Sequence, residues 1–216
     1  PLLKRLATPE DGMILRFDGG ELWDETEIDK NWSLIESSRD MPTAWNYPEL
    51  LKPHETQKIA LQNGKEVEIA KAAPVFSRWA GEMPSDTYGG KPVLELNGEM
   101  VFAELAILRL FQQAGWEGRW IDSYRNRFLT GYWPEPCTEE LPAPQKVTLD
   151  FLRSMSGGTG GCFDVLCWRN GAFLFVESKW KGHDHINDNQ RRWLQAALDA
   201  GFPPSSFLIV EWTDAV

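Results

Sequence analysis

Residues 161–180, GCFDVLCWRNGAFLFVESKW, hold the dipeptide Asn170-Gly171 between stretches rich in Val, Leu, Phe and Trp. Asn-Gly in that setting is the strongest short-range signal for a two-residue type I′ hairpin turn, whose central residues both need positive φ. Such a turn fixes a register. Arg169 opposes Ala172, Trp168 opposes Phe173, Leu166 opposes Phe175, and Asp164 opposes Glu177. Alternation along the strands then sorts Phe163, Val165, Cys167, Leu174 and Val176 onto one face, and Leu166, Trp168, Phe173 and Phe175 onto the other. Both faces are apolar, which is how strands buried on two sides read.

Directly opposed residues have Cβ atoms roughly 4.5–5.5 Å apart. Two carboxylates at ~5 Å repel by on the order of 3 kcal/mol at an effective dielectric of about 20. A divalent cation shared by both would offset that, since hard cations take carboxylate, carbonyl and water oxygens. Lys179 lies two residues beyond Glu177 and points to the same side. A Glu-x-Lys triplet alone says little, because exposed strands alternate such charges. At the end of a strand buried on both faces, Asp164, Glu177 and Lys179 carry more weight, because charges there are rarely without partners.

Asp164, followed thirteen residues later by Glu177-Ser178-Lys179, resembles the catalytic pattern of the PD-(D/E)XK nuclease superfamily. The segment from Lys181 to Leu194 is similar to the VRR-NUC branch, where a loop after the Glu-x-Lys strand leads into a helix opening with Gln and an aromatic. The similarity runs from about Glu99 to Trp212. Phe163 stands where the name-giving Pro would be, and polar Ser178 takes a middle position that is usually apolar. The resemblance implies an α/β fold with a restriction-endonuclease-like core, a mixed central sheet flanked by helices. That core would contain the helix of Glu104, a strand near Arg119 to Tyr124, the hairpin, the helix of Gln190 and a strand over Ser206 to Trp212. It also implies hydrolysis of phosphodiester bonds in DNA with Mg²⁺ or Mn²⁺. Asp164, Glu177 and the Ser178 carbonyl would hold the ion, and Lys179 would orient water or stabilise the transition state. Glu104 would bind a second ion or position water, with Gln190 supporting the site. Lys181, His183, His185, Arg191 and Arg192 are the candidate substrate contacts.

Helical spacing supports two of those elements. Residues 99–114 repeat apolar side chains at Val101, Leu105, Leu108 and Phe111, with Asn97 as the expected N-cap and Gly115 as the stop. Glu104 falls either within that stripe, where a carboxylate needs a partner, or at its edge, where it reaches water. A second helix is expected from Asp188 to Ala200. Asn187 and Gln190 have capping-box spacing, and Gly201 and Pro203-Pro204 end it. Gln190 thus has two duties that compete, capping the helix and facing the sheet. Arg191 and Arg192 point elsewhere, toward phosphates or solvent. His183 and His185 lack the second ligand pair of a zinc site.

At 216 residues and 42% hydrophobic content, the chain can bury one core with a smaller attached region. The division expected is an N-terminal extension or small β-rich region over 1–92 and a nuclease-like domain over 93–216, with an insertion at about 125–160. Turn dipeptides suggest hairpins at 13–23 and 58–70. The stretch SGGTGG over 156–161 lacks the Lys-Ser/Thr of a phosphate-binding loop and reads as a flexible approach to Asp164. No apolar run nears the ~20 residues that span a bilayer. Three cysteines, an odd number, suit reduced thiols and a cytoplasmic setting. A net charge of −10 argues against indiscriminate nucleic-acid binding. Residues 101–216 carry only −3 of it, and Arg119, Arg125, Arg127 and Arg153 could extend a local phosphate track. Two other readings stay open: a catalytically idle module of the same fold that binds DNA or a protein partner, and a structural β-rich protein with solvated charges. A homodimer is also left open.

Overall fold

The computed structural model describes residues 45–158 and 160–215. The expected hairpin at 13–23 lies outside them. In chain order the strands are β1 (Glu55–Ala60), β2 (Glu66–Ala72), β3 (Val75–Arg78), β4 (Leu94–Leu96) and β5 (Glu99–Val101), then helix α1 (Ala103–Gln113). Next come β6 (Glu117–Asp122), β7 (Arg127–Gly131), β8 (Cys137–Thr138) and α2 (Ala143–Ser156). The chain closes with β9 (Val165–Arg169), β10 (Ala172–Trp180), α3 (Asp188–Asp199) and β11 (Phe207–Ala215).

The central hairpin forms in the expected register. Ala172 pairs with Arg169, Phe173 with Trp168, Phe175 with Leu166, and Val176 with Val165. Asn170 and Gly171 turn the chain with φ of 50° and 81°, the positive values a type I′ turn requires. β6 joins β9 antiparallel, and β11 joins β10 parallel after the crossover through α3. The mixed sheet runs β5-β4-β3-β11-β10-β9-β6-β7-β8, with the β1–β2 hairpin also attached to β11. Strand β11 divides its partners: Leu208–Val210 pair with β2, and Thr213–Ala215 with β3. The break falls at Pro74, which lacks an N–H to give; its carbonyl accepts from the Thr213 N–H at 3.1 Å. Strands from residues 55–78 of the expected extension thus belong to the same sheet as the hairpin.

Helices cover both faces, which explains the two-sided apolarity of the hairpin. Leu105, Leu108 and Phe111 of α1 pack with Val165, Cys167, Leu174, Val176 and Val210. Leu149 and Leu152 of α2 and Trp193, Leu194 and Ala197 of α3 pack with Leu166, Trp168, Phe173, Phe175 and Ile209. At roughly 1.5–3 kcal/mol for each large side chain buried, these two layers hold the hairpin rigid. No helix among the described residues is long and apolar enough to cross a membrane.

Three expectations need correction. The helix over 99–114 begins only at Ala103, after Phe102, and Asn97 does not cap it. Asn97 and Gly98, with φ of 54° and 84°, turn the β4–β5 hairpin instead. Phe163 leaves the face of Val165 and packs with Phe175, Phe207 and Trp193. The ladder ends at the Val165–Val176 pair, so Asp164 and Glu177 are not paired across it as expected; the Asp164 carbonyl accepts from the Ile121 N–H of β6 at 2.7 Å. The stretch expected as an insertion, 125–160, supplies β7, β8 and α2. Pro144 in the first turn and left-handed Gly157 at the end are ordinary signals of a helix.

Candidate active site

Four elements converge where β10 leaves the core. Glu177 and Lys179 come from β10, Asp164 from the residue before β9, Glu104 from the first turn of α1, and Gln190 from the first turn of α3. Glu177 is only 4% exposed. Its Oε1 accepts from the Lys179 ammonium at 2.7 Å and from the Gln190 side-chain amide. Its Oε2 has no partner. Phe163, Phe175, Ile186, Leu194 and Ile209 line an apolar recess beside it. Burial therefore pushes the Glu177 carboxyl well above the usual carboxylate range, and nearby Asp164 raises it further while Lys179 opposes.

Asp164 keeps part of its surface open, yet protein atoms crowd it so closely that burial is the main reason its pKa rises. Glu104 adds to the rise, while Lys91, Lys179 and a hydrogen bond from the Ser178 N–H at 2.8 Å work against it. Burial acts to lower the pKa of Lys179, but Glu177 and Asp164 more than offset it, so the ammonium is stabilised. Ser178, the polar residue in the usually apolar position, is buried with its Oγ accepting from the Trp212 indole N–H at 3.0 Å. The hydroxyl is satisfied, so the departure carries no desolvation penalty.

The two duties of Gln190 do not compete. Its carbonyl oxygen accepts from the Asn187 N–H at 3.0 Å, completing the capping box, while its amide nitrogen donates to Glu177. Gly161 sets the position of that helix: a Cβ on it would lie 2.4 Å from Asn189 Cβ and 2.8 Å from the Gln190 nitrogen. Trp193 also donates its indole N–H to the Gly160 carbonyl at 3.2 Å. Gly160 and Gly161 are a close-packed seat for α3 rather than the expected flexible approach.

Glu104 lies inside the stripe and is 6% exposed, which settles the alternative left open by its spacing. It is paired with Lys91, a residue that sequence spacing does not single out, and its Oε2 has no partner. Of the outer candidates, Lys181, His183, His185 and Arg192 are exposed. His183 stacks on Trp180 with centroids 3.7 Å apart, Arg191 pairs with Asp188 at 3.9 Å, and Arg192 donates to Asn189. None of these contacts reaches the carboxylates. Arg119 is held by Glu139, Arg125 and Arg127 by Asp122, and Arg153 by Asp150, so those four guanidiniums already have anionic partners. All three cysteines are free thiols, and burial pushes Cys162 up to about 12.

Among the described residues, no three His, Cys, Asp or Glu side chains form a ready-made metal-holding group. The donor set still suits a hard cation. Glu104 and Glu177 each present a buried oxygen without a hydrogen-bond donor, a condition that costs ~1–3 kcal/mol or more unless a ligand relieves it. Compared with family models, with curated proteins and with solved structures, the chain matches none.

Proposed function

We propose that this chain is a divalent-metal-dependent nuclease that hydrolyses phosphodiester bonds in DNA, built on a restriction-endonuclease-like core. The observation that carries the proposal is the grouping of buried Glu177 and Glu104, each with an unpartnered oxygen, about the half-buried Asp164, with Lys179 paired to Glu177. The succession α1-β6-β9-β10-α3-β11, with neighbouring strands β6, β9, β10 and β11 and the last pair parallel, supports the core. Asp164, Glu177 and the Ser178 carbonyl would hold Mg²⁺ or Mn²⁺; the ion when bound supplies an activated water and neutralises charge on the phosphate. Lys179 places an ammonium beside Glu177, where it orients the attacking water or donates to a phosphate oxygen as negative charge builds. Gln190 holds Glu177 in that geometry by a hydrogen bond from a capped helix end.

The competing reading, an idle module of the same fold that binds DNA or a protein partner, is favoured by the lack of a ready-made metal-holding group among the described residues. Incubation of plasmid DNA with the purified chain separates the two. Nicking or cleavage is expected with Mg²⁺ or Mn²⁺ and none with EDTA. Lys179→Ala should lower the rate by about a hundredfold or more while calorimetry still detects ion binding. Cleavage by Lys179→Ala at the wild-type rate would refute the assignment, and absence of cleavage by the wild type would favour the idle module.

A further inference from the structure

Lys91 lies in the irregular stretch between β3 and β4, outside the elements of the core. The loop that delivers it is strained and anchored. Tyr88, Gly89 and Gly90 take φ of 53°, 80° and 91° in succession. A tyrosine in the left-handed region costs on the order of 1–2 kcal/mol, and such strain persists only where the surroundings impose it. Here Asp86 accepts the Tyr88 N–H and the Tyr132 hydroxyl, both at 2.8 Å. The Tyr88 ring packs against Trp120 at 5.3 Å, with the Arg125 guanidinium 4.2 Å from its centroid. The Lys91 N–H donates to the Thr87 carbonyl at 2.9 Å. Its ammonium then pairs with Glu104, 5.3 Å from the Trp120 ring centroid, and it also acts electrostatically on Asp164.

We infer that Lys91 is a fixed cation of the site: it occupies the Glu104 side of the cluster, so that a single divalent ion binds, at the Asp164–Glu177 side. The inference rests on the nuclease reading and refines its metal count. With every group ionised, Asp164, Glu177, Glu104 and Asp184, which also acts on Lys179, against Lys91 and Lys179 leave a net charge of −2. One dication brings the cluster to zero, whereas two would take it to +2 in a largely buried setting, where uncompensated charge is strongly unfavourable. Lys91 thus supplies, from outside the core elements, the neutralising charge that a second ion would otherwise bring to Glu104.

The test is the number of Mn²⁺ ions bound per chain, by calorimetry and by electron paramagnetic resonance of the free ion. Wild type is expected to bind one. Lys91→Met keeps the length and removes the charge, freeing the Glu104 Oε1 beside the already unpartnered Oε2, and is expected to bind two. The double variant Lys91→Met/Glu104→Gln removes the pair as a unit, avoids a buried unpaired charge, and is expected to bind one, which keeps the measurement usable if the single variant does not fold. Two ions in wild type, one ion in both wild type and Lys91→Met, or loss of the ion in the double variant would each overturn the role given to Lys91. No ion bound to wild type would overturn the metal-site reading as well, so the two failures are distinguishable.

Discussion

Glu177 is a side chain whose chemistry is strongly altered by its surroundings. Its pKa is raised in the folded state, first by burial and then by Asp164, above the ordinary 4.5. A raised carboxyl pKa means that the folded chain binds the proton more tightly than the unfolded one. The resulting stabilisation is complete below 4.5 and is lost as pH rises through the folded value. Asp122 and Asp214, whose pKa values are lowered, act oppositely, but their effect falls below about 3.8, outside that window. In EDTA, melting temperatures of wild type and Glu177→Gln should therefore converge or cross in favour of wild type as pH falls from about 8 to about 5. A difference independent of pH would mean that Glu177 is not desolvated. With Mn²⁺ the trend should reverse, because the ion needs the carboxylate ionised.

The glycine seat beneath α3 makes a prediction of its own. Gly161 and Gly157 have similar φ, 85° and 77°, but only Gly161 faces a close neighbour; a Cβ on Gly157 would meet nothing within 4 Å. Gly157→Ala should cost only the ~1 kcal/mol of left-handed strain. Gly161→Ala adds a clash with the backbone of Asn189 and Gln190, for a loss on the order of 2–4 kcal/mol, and should slow cleavage more than Gly157→Ala by shifting Gln190 off Glu177. Equal losses in denaturant melts would show that α3 yields freely at this point. Such contacts are illegible in a sequence, because a close approach depends on which helix lands on the glycine. The central hairpin was legible because Asn170-Gly171 and two apolar runs agree. Asn97-Gly98 carries the same turn signal, but the apolar spacing from Val101 onward extends a helical pattern back over it, which hides the β4–β5 hairpin. Lys91 has no periodicity or motif around it, and only the folded loop brings it to Glu104.

Across the whole molecule, the acidic balance of −10 and the internal pairing of arginines limit how the proposed DNA substrate could be held. Arg119, Arg125, Arg127 and Arg153 read from sequence as a phosphate track, yet each has a carboxylate partner within the fold. Breaking such pairs to contact phosphates would release little net energy, since one ionic partner is exchanged for another. Among the candidate substrate contacts, Lys181 and Arg192 are exposed cations that form no ion pair with a carboxylate among the described residues, and under the proposed function they would meet the substrate backbone. Each neutralised phosphate contributes about −0.9 to the slope of log K against log salt on duplex DNA. Binding measured with Ca²⁺ held constant in place of the catalytic ion should therefore fall with a slope no steeper than about −3, well short of the −6 to −9 of proteins that grip many phosphates. Lys181→Ala and Arg192→Ala should each reduce that slope by about one, and Arg127→Ala should leave it unchanged. A slope near −6, or a loss on Arg127→Ala, would mean that the internal ion pairs open on binding and that the arginine track of the sequence forms only on the substrate.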